Sequence, residues 1–568
     1  MLHRPRSAVS FGIFVAALLL GSRAPQELTV PLAADPRTFC PLFATDQASA
    51  AVADLLHADL IRVHRRKGVP TANLASQWRW SEQHRVLEIE LDPQRRFSDG
   101  SPISAADAVF SLQVAFDPEL PVASGALDLV GGESPKVEAL DSRRLRLRFA
   151  EARPGVERIL DSLAILPRSR YQQAWQRGEL EAAVGPGAAP NQIIGAGPFK
   201  LESYRPGEEL VLVENRFYGK RDPAGRALPY LDRIRFVVLP DQDARLLQFQ
   251  AGGLDAIGPL APADFRILAN SQRRGRTQRW DLGPVLGVEF LWFNLRPATG
   301  ENAAPIDPIR HRWFSDQRLR LAVELALDRQ GLAQSVYEGR ATAAAGPLAP
   351  DNPFALGREV AHRDPAAAAA LLEQSGYRDR DGDSVREDAQ GHRLRFSLIT
   401  NAGNQAREST AAFLQHDLKS IGIDLEIVPL EGRSLLARVF ESGDYEAALL
   451  GMAGGDPDPT LALSFVRSSA ADHWWAPGLK QPGSAWEAQL DRLYDRQART
   501  IDPTARRRLV LELQELLAEQ RPMIFLVHRH LLLAASRRVH GYQPAPLFDF
   551  SLWNADRLWL GDSQPGGS

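Results

Sequence analysis

Asp456 and Asp458 lie two residues apart in the run Gly454-Gly455-Asp456-Pro457-Asp458-Pro459. Carboxylates so spaced could serve as general acid and base, or could hold a cationic group. The flanking glycines and prolines suit equally a turn whose acids accept backbone N–H bonds. Asp379-Arg380-Asp381-Gly382-Asp383-Ser384 has the outline of a calcium loop. Ser384 fills the sixth position, where an EF-hand needs glycine, so an exposed acidic turn is the simpler reading. His528 and His530 share a face if their segment is a strand, yet two imidazoles do not make a metal site without a third ligand. Cys40 is the only cysteine, which excludes an intramolecular disulfide and a thiolate cluster. There is no His-Glu-x-x-His, Gly-x-Ser-x-Gly or phosphate-loop pattern. Gly195-Ala196-Gly197 runs into Pro198-Phe199 and a strand, so it opens no helix and is no dinucleotide fingerprint. No catalytic residue, cofactor or metal is therefore expected.

The elements around the paired acids are the most legible. Residues 394–399 alternate as a strand, 401–404 form a turn, Leu414, Leu418 and Ile421 stripe a helix, and Gly422 closes it. With the strand 423–428 this makes a β-α-β unit, whose crossover requires parallel strands. A short helix near 434–441 and a strand at 445–451 follow, and that strand runs into Gly454. In open α/β sheets ligands bind beyond the carboxyl ends of strands, so 452–459 is the expected ligand edge. Elsewhere Leu87–Leu91 and Leu145–Phe149 alternate as strands, with further strands at 210–213 and 234–239. Leu319, Ala322, Val323, Ala326 and Leu327 stripe a helix. Ser104 with Asp107 three residues on predicts a capped helix start.

The length of 568 residues implies two or three domains. Apolar residues at 44%, charged residues at 24% and a net charge of −3 fit a globular protein and supply no basic field for nucleic acid. At the amino end a basic start precedes an apolar run from Phe11 to Leu20 and the small residues Gly21-Ser22-Arg23-Ala24. That is the pattern of an export signal over 1–24, shorter than the ~20 residues of a membrane span. Pro25 after the cut disfavours cleavage, which leaves an uncleaved anchor as the alternative. The chain is expected outside the cytoplasm, periplasmic or otherwise extracytoplasmic.

Several segments together resemble one family. Gly68-Val69-Pro70, Leu74–Trp78 and the stretch from Phe97-Ser98-Asp99-Gly100 to Ala108-Val109-Phe110 resemble the extracytoplasmic solute-binding proteins of ATP-binding-cassette importers, in the oligopeptide, dipeptide and nickel class. The resemblance continues through 195–201, 215–218, 253–255, Phe293-Asn294, 318–322, 369–377 and Gly541-Tyr542. It implies an α/β, two-lobed fold of the type II periplasmic-binding-protein kind, with three domains and a ligand cleft between lobes. The implied limits are 25–62, 191–283 and 528–568 for a discontinuous first domain, 63–190 for a second and 284–527 for a third, with hinge crossings near 280–290 and 520–530. The implied ligand is a peptide or peptide-like solute, and the implied partners are a permease and its ATPase, the protein itself being a monomer. A sensory relative that signals to a membrane receptor and an exported hydrolase are the other readings. The segment holding Phe43 and Thr45 resembles one that borders the ligand groove. Peptide binders of the family carry tryptophan and then aspartate where this chain has Met452 and Gly455, and that aspartate pairs with the peptide's ammonium. Asp456 or Asp458 could substitute from a shifted position. The expected ligand contacts are thus Phe43, Thr45, Met452, Gly454, Gly455, Asp456 and Asp458.

Overall fold

The computed structural model describes residues 26–120, 131–296, 305–454, 456–546 and 552–561. The expected signal over 1–24 lies outside them. Alternating segments build a four-stranded antiparallel sheet from Ala75–Ser81, Val86–Leu91, Arg144–Arg148 and Lys136–Ala139. Its inner face, Leu87, Ile89, Leu145 and Leu147, meets Ala108, Phe110 and Leu112 of the helix Ala105–Ala115 in one core. That helix starts as the sequence indicates: Ser104 accepts from the Asp107 backbone N–H, and the Asp107 carboxylate accepts from the Ser104 N–H at 2.9 Å. A second four-stranded sheet joins Glu27–Leu32, parallel, to Arg233–Val238, which pairs antiparallel with Glu209–Glu214 and then Phe199–Arg205.

The second lobe is organised by an eight-stranded sheet. Arg395–Asn401, the helix Gln405–Lys419 and Asp424–Leu430 form the expected β-α-β unit, with Leu398 opposite Ile427 in parallel register. Ala447–Met452 lies parallel on the other side of Arg395–Asn401 and antiparallel to Val288–Phe293. Every residue of Val288–Phe293 is buried, as a central strand covered on both faces requires. The helix Gln317–Ala326 ends one residue before Leu327, which turns to extended backbone yet stays in the core.

Both lobes share the 14-residue strand Met523–Ser536. Its first half pairs with Val288–Phe293 and its second half with Thr277–Pro284, so the chain crosses between lobes beside Gly287 and again along this strand. Ala341–Ala343 pairs with it at the crossing, opposite Val527 to Arg529. The architecture is the expected two-lobed α/β fold.

Candidate functional site

The strand Ala447–Met452 delivers the loop 453–459 to the carboxyl edge of the large sheet, between the lobes. Glycine at 454 is a packing requirement. A Cβ there would strike the Gly287 nitrogen and the Leu286 carbonyl carbon, and one on Gly287 would strike the Met452 carbonyl oxygen. The close approach that glycine permits is therefore between two backbone segments of the protein itself. His528, fully buried, fixes the same crossing by donating from Nδ1 to the Gly287 carbonyl at 2.8 Å. Burial lowers its pKa, so the neutral ring is favoured.

The two acids have protein partners. Asp458 caps the short helix Pro459–Ala462, accepting from the Thr460 N–H at 2.9 Å. Arg506, on the helix Pro503–Gln520, grips the same carboxylate with Nη1 to Oδ2 at 2.8 Å and Nη2 to Oδ1 at 2.6 Å. Arg506 also donates to Thr460 Oγ1 at 2.8 Å and Gln497 Oε1 at 3.1 Å, so this buried charge is fully engaged. Asp456 receives Arg158 Nη1 on both oxygens, at 2.9 and 2.8 Å, and its Oδ1 also accepts from the Asp458 N–H at 2.8 Å. Burial pushes its pKa up while Arg158 pulls it down, and the net direction is upward. Asn352 donates to the Pro457 carbonyl at 3.0 Å and holds the loop from its other flank.

A third carboxylate lies at the same edge. Glu289 is 4% exposed. It accepts from Arg407 at 2.8 and 3.3 Å and pairs with Arg529 at 3.1 Å. Burial alone would raise its pKa, but the two guanidiniums outweigh that and hold it below the usual range. Arg407 also donates to Asn401 Oδ1 at 2.9 Å. The Glu289 carboxylate and Arg407 crowd Gly451, where a Cβ would lie 2.5 Å from Glu289 Oε1 and 2.8 Å from Arg407 Nη2. Among the described residues, Arg407 and Arg529 thus both meet this one buried acid beside the loop.

Of the sequence-derived contacts, Met452, Gly454, Asp456 and Asp458 share this edge, and Gly455 lies outside the described residues. Met452 is half-buried opposite Val288. Phe43, 8% exposed, belongs to the core of the first lobe, ending the turn Pro41–Phe43. Thr45 is exposed next to Asp46, which caps the helix Gln47–Leu56. The arginines were not foreseen, because their acids lie 48 to 298 positions away. Asp379, Asp381 and Asp383 do converge, within 4.8 Å, but as an exposed turn whose carboxylates accept backbone N–H groups and, at Asp383, pair with Arg393. His530 turns to Asp281 at 3.0 Å and Thr342 at 3.1 Å, away from the role of His528.

The chain is 24% identical over 497 residues to a probable ABC transporter-binding protein of Deinococcus radiodurans, covering 83% of this chain and 82% of that protein. It is 24% identical over 550 residues to the oligopeptide-binding protein AppA of Bacillus subtilis, covering 94% and 91%. The AppA structure with a bound nonapeptide superposes with a TM-score of 0.75 at 22% identity over 95% of this chain and 100% of that one. NikA of Brucella suis, in complex with Fe(III)-EDTA, superposes with a TM-score of 0.77 at 21% identity over 94% and 100%. The pattern of the bacterial extracellular solute-binding proteins, family 5 middle region, matches residues 69–474. The chain belongs to the bacterial extracellular solute-binding proteins of family 5.

Proposed function

We propose that this protein captures a peptide or peptide-like solute outside the cytoplasm and delivers it to the permease and ATPase of an importer, binding its ligand without chemical change. The observation that carries the reading is a loop at the carboxyl edge of the large sheet that touches the opposite lobe, in a chain whose family captures solutes. A ligand at that edge would be enclosed as the lobes meet, and its differential affinity for the closed arrangement would drive closure. The crossings beside Gly287 and along Met523–Ser536 would act as the hinge, with domain limits at 25–62, 63–190, 191–283, 284–527 and 528–568. Export would depend on residues 1–24, and among the described residues no helix is long and apolar enough to cross a membrane.

The neutralised acids bear on the ligand. A lone ammonium in this cleft would find Asp456, Asp458 and Glu289 already held by arginine, so recognition would rest on the loop backbone. Phe43 and Thr45 would act at most by shaping the facing wall. The test is native mass spectrometry of the protein purified from the cell envelope. A stoichiometric co-purified solute, released unchanged on unfolding, is the expected result. A chemically altered product released with turnover of the solute would instead establish an enzyme.

A further inference from the structure

The contact between Arg158 and Asp456 joins residues 298 positions apart and on opposite lobes. Arg158 sits on the short helix Val156–Ile159 of the first lobe, and its Nη2 donates back to the Gly68 carbonyl, which fixes the guanidinium before it crosses. The side chains of Arg158 and Asp456 are 17% and 13% exposed. Three further contacts accompany this one. Arg499, at the end of the helix Ala485–Arg499 in the second lobe, reaches Glu151 of the first at 2.6 Å, and Glu151 is steadied by Arg153 at 3.3 Å. Leu461, in the helix after the loop, packs on the core of the first lobe. Gly155, with φ +87°, brings bare backbone against Asp458, where a Cβ would lie 3.2 Å from Oδ2.

Each cross-lobe ion pair matches an acid with an arginine, and none requires a ligand atom. Both Asp456 oxygens face Arg158 Nη1, and Oδ1 already accepts a backbone N–H besides, so a ligand cation would have to displace the guanidinium to use them. Parting the lobes would break both pairs while leaving each lobe's own core intact.

We infer that Arg158–Asp456, seconded by Arg499–Glu151, is a latch that favours the closed lobes, and that Asp456 serves closure rather than ligand recognition. The inference rests on the lobe closure proposed above, but it concerns the protein's own equilibrium and is tested on protein unfolded to release any co-purified solute and then refolded. The full chain carrying Lys136→Cys and Lys419→Cys, one exposed site on each lobe, takes nitroxide labels, while Cys40 is fully buried. Pulsed dipolar spectroscopy then reads the inter-lobe distance. Arg158→Gln and Asp456→Asn should each lower the closed-to-open ratio about tenfold or more, as for a desolvated hydrogen-bonded pair. The double variant should do no worse than either single one, because the two act through each other. Arg499→Gln, at a half-exposed pair that folding does not need, should lower the ratio about twofold, and about 1 M salt should reproduce that change. Distance distributions in Arg158→Gln and Arg499→Gln that match the unsubstituted protein would overturn the latch, as would simple additivity in the double variant. Either result would leave a co-purified solute, and hence the capture function, standing.

Discussion

Asp458 is the residue whose substitution separates a ligand contact from a structural one. Asp458→Asn keeps a good helix cap, since asparagine accepts the Thr460 N–H as aspartate does. What it removes is the negative charge under Arg506, a guanidinium whose side chain is 9% exposed and which bridges Asp458, Thr460 and Gln497. Breaking a buried pair by neutralising one partner costs about 3–5 kcal/mol, because the remaining charge is left uncompensated. For a cooperative unit of this size that is a fall in melting temperature of about 6–20 °C. The assay is differential scanning calorimetry, with urea unfolding to supply the free energy. Asp458→Asn combined with Arg506→Gln should recover most of the loss, since the stranded charge is then gone. A melting temperature within about 2 °C of the unsubstituted protein, with solute affinity lost instead, would refute the reasoning and return Asp458 to ligand binding.

Other outcomes follow from the same structure. Burial lowers His57 to a pKa of about 4 from 6.5, so it folds neutral and contributes stability that is whole above pH 6.5 and drains away as pH falls towards about 4. Replacing it with glutamine should flatten urea-derived stability across that window, by up to about 3 kcal/mol at its acid end. Glu289→Gln removes the buried charge that Arg407 pairs with and should cost about 3 kcal/mol, read by urea unfolding. Gly454→Ala forces a methyl into the Gly287 backbone and should lower stability by about 1–3 kcal/mol in the same assay. Cys40 is fully buried, and burial pushes its thiol up to about 12, so a thiol reagent should find no reactive group until the protein is unfolded.

How much of this could be read in advance depended on distance along the chain. The capped start at Ser104, the β-α-β unit from Arg395 to Leu430 and the strand into Gly454 were legible because each is fixed by neighbours a few residues away. The place where the loop after Met452 leaves the sheet was also legible, since it follows from where a parallel strand ends. Which groups answer the acids was not legible. Arg158 and Arg506 are two arginines in a chain rich in them, and only the tertiary fold brings them to Asp456 and Asp458. Phe43 and Gly454 show the same limit in apolar form: their packing on the first lobe's core and on the Gly287 backbone was not legible in their residue types.

The long strand Met523–Ser536 also sets an order of events during synthesis. It is the central strand between Val288–Phe293 and Thr277–Pro284, yet it is made more than two hundred residues after both. Domains ordinarily fold from the amino end as they emerge from the ribosome. Here the large sheet stays open along its middle until the last tenth of the chain has been translated. The sheet within residues 75–148 has all its strands early, so the large sheet is the part of the molecule left to close last.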